Sequence, residues 1–248
     1  MTSEATTERT AIITGASRGI GAAIARRLGG EGLAVIVNFA GNAAAADEVT
    51  EAIRSSGGKA IPVRADVAEP GAAGRLFDAA EEAFGGVDVL VNNAGILRNA
   101  TIAESDDALF DSHFAINVKG SFALMREAAK RLREGGRIVN FSTSVVGLKL
   151  ETYGVYAATK GAIEMLTAIL AKELRGRSIT VNAVAPGPTA TELFFHGKPD
   201  AVVDRLAKMS PLERLGTPED IAAAVAFLVG PDGRWINGQV LRANGGIV

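Results

Sequence analysis

The stretch "TAIITGASRGIG" runs from Thr10 to Gly21. Its first five residues, Thr10–Thr14, are β-branched or small and nearly all apolar, which suits a strand covered on both faces. Gly15 follows at once, with Gly19 and Gly21 behind it, so the chain turns sharply and enters a helical pattern over Gly19–Leu28. The same alternation continues along the chain. Further strand-like runs lie at Leu33–Asn38, Ala60–Val63, Val87–Asn92, Arg137–Ser142, Ile179–Ala185 and Gln239–Ala243. Between them, helical patterns occupy Ala43–Ser55, Ala72–Phe84, Asp106–Arg133 (read as broken or bent), Gly154–Arg175 and Pro218–Leu228. This order predicts an α/β fold: a doubly wound, seven-stranded parallel sheet with helices on both faces. No linker or repeat divides the chain, so residues 1–248 form one domain, with residues 1–8 as a flexible polar tail.

Composition excludes several functions. Hydrophobic residues make up 48% of the 248 and charged residues 22%, enough for a sizeable core. Net charge is -2 with no basic block, which argues against nucleic acid as a partner. The absence of cysteine removes disulfides, thiolate catalysis and zinc–cysteine sites. His113 and His196 are far apart, so no metal site is expected. The polar start and the lack of a long apolar run predict a cytoplasmic protein with no membrane segment. One stretch, 188–210, interrupts the alternation and carries Leu193, Phe194 and Phe195. It must lie near the carboxyl ends of the strands, where open α/β sheets bind ligands. It is read as a flap over a substrate, with a structural cap over the sheet as the alternative.

The loop "TGASRGIG" (Thr14–Gly21) places glycines and a helix N-terminus directly after the first strand, a Rossmann-type arrangement for a dinucleotide pyrophosphate. The spacing is G-x-x-x-G-x-G rather than the commoner G-x-G-x-x-G. At the end of the second strand stands Asn38, where an NAD site usually carries an acid for the ribose hydroxyls. A neutral amide does not repel a 2′-phosphate, and Arg18 in the loop is able to pair with one. NADP(H) is therefore the expected cofactor. Tyr156 and Lys160 are at i and i+4 of a helical pattern and share a face. A phenol with a pKa of about 10 needs help to work near neutrality, and an adjacent ammonium favours its ionised form. Tyr153, seven residues before the lysine, is a candidate for substrate contact instead.

Taken together, "TGASRGIG", "NNAG" (Asn92–Gly95), Asn117, "YAATK" (Tyr156–Lys160), "PGPTATEL" (Pro186–Leu193) and "INGQVLRANGG" resemble the short-chain dehydrogenases/reductases over nearly the whole chain. "VNFAGN" and "VNAVAPGPTAT" look most like members acting as 3-oxoacyl-carrier-protein reductases or hydroxynaphthalene reductases. The resemblance implies a cofactor site of Gly15, Ser17, Arg18, Gly19, Ile20, Gly21, Asn38, Asp66, Val67, Asn93, Ala94, Gly95, Tyr156, Lys160, Pro186, Gly187, Thr189 and Thr191. It also implies a catalytic set of Asn117, Ser144, Tyr156 and Lys160. Asn117 would bend its helix and anchor a water, and Lys160 would also hold the ribose. The family's serine stands about thirteen residues before the tyrosine. "FSTSVVG" (Phe141–Gly147) offers Ser144 as first choice, followed as in the family by two residues and a glycine but twelve before Tyr156; Thr143 is the rival and Ser142 ranks last. His113 is read as structural or solvent-facing, with no catalytic role, and Trp235 as packing.

The resulting expectation is reduction of a ketone, of the 3-oxoacyl thioester or aromatic type, with Tyr156 as proton donor. An NAD-dependent alcohol or sugar dehydrogenase and a non-catalytic dinucleotide-binding regulator are the rival readings. The family also implies a homo-oligomer, a tetramer or dimer, built through the long middle helices and the C-terminal strand region.

Overall fold

The computed structural model describes residues 9–248; the tail reading for 1–8 lies outside them. The chain runs β1 (Thr10–Ile13), α1 (Gly19–Gly30), β2 (Ala34–Phe39), α2 (Ala43–Ser55), β3 (Ala60–Arg64), α3 (Ala72–Phe84) and β4 (Val87–Asn92). Then come α4 (Asp107–His113), a π-helical turn (Phe114–Gly120), α5 (Ser121–Arg131), β5 (Leu132–Phe141), α6 (Val145–Leu148) and α7 (Gly154–Glu173). The last part holds β6 (Thr180–Pro186), α8 (Glu192–Phe195), α9 (Asp200–Lys208), α10 (Pro218–Val229) and β7 (Val240–Ala243).

The seven strands form one sheet in the order β3-β2-β1-β4-β5-β6-β7, and every pairing is parallel. Alternation of side chains splits β1 between two cores. Ala11 and Ile13 pack toward α1, α2 and α10, while Ile12 packs toward α3, α5 and α7. Burial on both faces explains the near-continuous apolar runs in the sequence. Asn42 caps α2 by accepting from the Ala45 N–H at 3.1 Å, so the alanine run after it is a helix start.

Most boundaries shift by a residue or two, and the largest departure from the sequence reading lies in the middle of the chain. The middle helix is bent as expected, but through a π-helical turn. It stops at Arg131, and β5 begins at Leu132 rather than Arg137. Leu132 pairs with Val87, and the register shifts before Arg137 pairs with Val89. The glycines at 135 and 136 permit that irregular entry, which a pattern reading assigns to loop.

The sheet order places a topological switch between β1 and β4. The connections leave those two neighbours in opposite directions, so a crevice opens at their carboxyl ends. Among the described residues, no helix is long and apolar enough to cross a membrane.

Candidate active site

The crevice is stitched together by side chains from both strands. The Thr14 hydroxyl accepts from the backbone N–H groups of Asn93 (3.1 Å) and Ala94 (3.0 Å). The Asn93 amide donates back to Thr14 O (2.8 Å) and Gly15 O (3.2 Å). Gly15 has φ +61°, a left-handed turn that lets the chain reverse into α1. Gly21 serves packing within the protein. A methyl there would lie 2.3 Å from Gly15 O and 2.5 Å from Asn93 Nδ2. The sequence reading gave this glycine to the cofactor; its nearest neighbours are the loop and Asn93.

The cleft that results has a volume of about 420 Å³ and is walled by Ser17, Arg18, Gly19, Ile20, Asn93, Ala94 and Gly95 on the switch-point side. Asp66, Val67 and Thr191 line it as well. One Asp66 oxygen caps the Ala68 N–H at 2.9 Å. Arg18 is exposed and lies 3.4 Å from Glu192 at the start of α8.

Asn38 lines the cleft, and its side chain is engaged within the protein. It is buried, accepts from Gly15 N–H (3.3 Å) and donates to Ala65 O (2.9 Å) and Val63 O (3.2 Å). Its amide therefore ties the glycine loop after β1 to the end of β3. What remains at that end of β2 is Ala40, Gly41 and Asn42, without a carboxylate.

A second cavity, about 180 Å³, adjoins the first at Ile20, Gly95, Ile96 and Thr191. Its walls are mostly apolar: Leu97, Val145, Leu148, Leu150, Tyr153 and, from 188–210, Leu193, Phe194 and Leu206. Pro186, Gly187 and Thr189 enter from the end of β6. Thr189 donates to Gly187 O (2.9 Å), and Thr191 caps α8 by accepting from Phe194 N–H (3.2 Å).

Tyr156 and Lys160 reach this cavity from α7. Lys160 is buried, donates to Phe141 O at 2.9 Å and stands 5.8 Å from the Tyr156 ring centroid. Desolvation pulls its pKa down to about 8. Desolvation likewise pushes the Tyr156 phenol up to about 12, opposed by a hydrogen bond with Thr143 and reinforced slightly by Tyr153. The sequence reading expected Lys160 to depress the phenol; here burial dominates both groups, and the ammonium is directed at a backbone carbonyl.

The three hydroxyls of "FSTS" divide clearly. Thr143 is the one whose hydroxyl weighs on the Tyr156 phenol, holding its pKa down against the upward push of burial. Ser144, the first choice from spacing, opens α6 in helical conformation, which turns its side chain toward the ends of β6 and β7. There it donates to Ala185 O (3.3 Å) and accepts from Asn244 Nδ2 (3.0 Å). Ser142 donates to Glu164 on α7 at 2.5 Å. All three line the cavity, and of the three only Thr143 acts on the pKa of the phenol.

Asn117 lies in the π-helical turn and is fully buried. Its amide accepts from Ile96 N–H (2.9 Å) and donates to Ile96 O (3.0 Å) and the Thr159 hydroxyl (3.2 Å). A methyl built on Gly95 would meet Asn117 Oδ1 at 3.1 Å and Lys160 Nζ at 3.5 Å, so both side chains converge behind that backbone. His113 is structural: it accepts from Arg98 N–H (3.1 Å) and bonds Leu109 O (2.8 Å). Trp235 is 95% exposed, so the packing reading fails for it in the single chain.

Sequence reasoning passed over three residues. Asn244 sits just past β7, where strand position alone marks it. Thr159 lies between the tyrosine and the lysine, and only its bond to Asn117 distinguishes it. Lys198 lines the apolar cavity, but nothing in the sequence separates it from the other charged residues of 188–210.

The family model described as enoyl-(acyl carrier protein) reductase matches residues 15–248. A short-chain type dehydrogenase/reductase of Picea abies is 48% identical, covering 97% of this chain and 92% of that one. An NADPH-dependent aldehyde reductase-like protein of Arabidopsis thaliana, chloroplastic, is 45% identical over 97% and 94% of the two chains. Among solved structures, the angucycline C-6 ketoreductase LanV with bound NADP superposes with a TM-score of 0.91 at 37% identity, covering 96% of this chain and 95% of that one. With a glycine loop at the switch point, a tyrosine and lysine on one helix, and relatives matched end to end, the chain belongs to the short-chain dehydrogenase/reductase family.

Proposed function

We propose that this protein is an NADPH-dependent reductase that converts a ketone to a secondary alcohol. The observation that carries this reading is that Tyr156, Lys160 and Thr143 line one apolar cavity, which opens on the dinucleotide cleft at Gly95 and Thr191. The donor set suits a dinucleotide: a glycine turn, the N-terminus of α1 and the backbone beyond β4. NADPH over NADH is supported by the carboxylate-free end of β2 and by Arg18. The names of the Arabidopsis reductase and of the NADP-bound ketoreductase point the same way.

Bound NADPH supplies the hydride. The chain's own groups handle the oxygen. Tyr156, pushed up to about 12 by burial, is protonated at neutral pH and is a donor to a developing alkoxide. Thr143 supplies the second hydroxyl on that oxygen, replacing Ser144 in the role first assigned to it. Lys160, at about 8, holds an exchangeable proton beside the phenol and takes part in its recovery. Asn117 positions Ile96 and Thr159 around both. The segment 188–210 acts as the flap, since Leu193, Phe194 and Leu206 complete the cavity wall.

The test follows nicotinamide absorbance with NADPH or NADH against acetoacetyl thioesters, aromatic diketones, quinones, sugars and an enoyl thioester. Ketone turnover with a higher kcat/KM for NADPH is expected. Tyr156→Phe should bind NADPH normally and lose turnover; a Tyr156→Phe enzyme that still turns over refutes the assignment. Turnover confined to the enoyl thioester would move the reaction to carbon–carbon reduction.

A homotetramer fits the apolar side chains left exposed on α5 (Phe122) and α7 (Met165, Ile169), and near the C-terminal strand region (Phe227, Trp235). Light scattering tests it; a monomer at micromolar concentration would count against that assembly.

A further inference from the structure

Two cations line the substrate cavity, and among the described residues no carboxylate does. Lys160 is directed at Phe141 O. The other, Lys198, enters from the flap between α8 and α9. Its ammonium donates to Phe194 O at 2.6 Å and lies 4.9 Å from the Phe194 ring centroid. Lys198 is half-buried. An ammonium has three N–H donors, and the protein supplies one acceptor to it. A desolvated cation facing an apolar cavity, with donors to spare, is electrostatically incomplete.

We infer that Lys198 recognises an anionic oxygen, a carboxylate or phenolate, carried by the ketone at the end remote from its reacting carbonyl. The inference rests on the reductase reading and narrows its substrate class. Tyr156 and Lys198 line the same cavity, so one small molecule spans from the hydroxyl pair to the flap. Its middle should be apolar, because Leu97, Leu148, Tyr153 and Phe194 line the same cavity. A charge-assisted bond in a water-poor pocket discriminates more strongly than one at the surface. The same contact fastens the flap: Lys198 already holds the end of α8, so an anion on its free donors ties 188–210 to the substrate.

The alternative is that Lys198 only caps α8. Matched substrates and matched variants separate the two. The probes are 4-oxo-4-phenylbutanoate and its methyl ester for turnover. For binding, calorimetry compares 4-phenylbutanoate with its methyl ester, and neither of these has a ketone to reduce. The wild type should favour the acids by about tenfold or more in kcat/KM and in Kd. Lys198→Gln keeps a donor for Phe194 O and removes the charge. It should lose that preference through KM, leaving kcat and the ester within about twofold. Lys198→Arg should restore most of it. Equal handling of acid and ester by the wild type overturns the inference while leaving ketone reduction intact, as does a Lys198→Gln loss that is the same for both. If neither ketone is reduced but 4-phenylbutanoate still binds through Lys198, the anion site stands and the reductase reading is what fails for this scaffold.

Discussion

Replacing Thr143 by valine removes a hydroxyl and almost nothing else. The two side chains have the same shape, and Thr143 is 9% exposed, so no cavity opens. Within the fold the loss falls on the Val145 N–H, which donates to Thr143 Oγ1 at a long 3.3 Å. That costs about 1 kcal/mol. In the reaction the loss is larger, because one of two donors to the developing alkoxide is gone. By analogy with other oxyanion donors this is about 2.7–4 kcal/mol, or about 10²–10³ in kcat. Without Thr143 the phenol also loses the hydrogen bond that opposes its upward shift. Ser144→Ala should behave in the opposite way. It removes the bonds to Ala185 O and Asn244, for about 1–3 kcal/mol of stability, while kcat stays within about tenfold. Steady-state kinetics with saturating NADPH, together with thermal melts, separate these effects. Thr143→Ser is the positive control and should retain activity. If Thr143→Val turned over normally and Ser144→Ala were dead with an unchanged Tm, the assignment of the two hydroxyls would be reversed.

Asn38→Asp, the substitution that a cofactor-preference argument invites, should not create an NAD enzyme. It would point a buried carboxylate at Ala65 O and Val63 O, costing about 3 kcal/mol or more. A melt should show Tm lower by about 6–12 °C; a stable variant with improved NADH kinetics would contradict the orientation of that amide. Gly21→Ala must displace either the glycine loop or Asn93, for about 2–3 kcal/mol. NADPH fluorescence titration should show binding weakened by about tenfold or more. Lys160→Met tests the buried ammonium. The fold lowers this pKa from 10.5 to about 8, so the unfolded chain binds the extra proton between those values and wild-type stability rises across that window. Relative to Lys160→Met, the cofactor-free wild type should gain about 3 kcal/mol in urea unfolding between pH 7 and pH 10.5. A flat difference would mean that the ammonium is well solvated.

The layers of this fold were readable because burial on both sheet faces leaves an unmistakable strand composition, and because Gly15 and Gly21 punctuate the first turn. Tyr156 and Lys160 were readable for a similar reason: helical spacing alone fixes their shared face. The orientation of short polar side chains was not. Asn38 was placed in the cleft, yet its amide donates to Ala65 O and Val63 O inside the fold. The order Ser142, Thr143, Ser144 gives three hydroxyls within one turn, and which one meets Tyr156 depends on where α6 starts. That start is a backbone angle, on which sequence spacing is silent. Lys198 was hidden differently: nothing in "HGKPD" says that α8 folds the lysine back toward the sheet.

The π-helical turn at Phe114–Gly120 has a consequence for how the middle helices are phased. An α-helix rotates about 100° per residue. A π turn takes up more residues per revolution, and so it offsets the rotational setting of α5 from that of α4. Where the turn begins, Phe110 and Phe114 stack at 4.3 Å; beyond it, Leu124 and Met125 enter the core beside the sheet. One uninterrupted helix would not satisfy both settings and still aim Asn117 at Ile96. Deleting a single residue between 114 and 120 should therefore regularise the backbone and at the same time dismantle the site. Perfect periodicity and a working arrangement of Ile96, Thr159 and Lys160 are alternatives in this segment, and the chain keeps the irregular one.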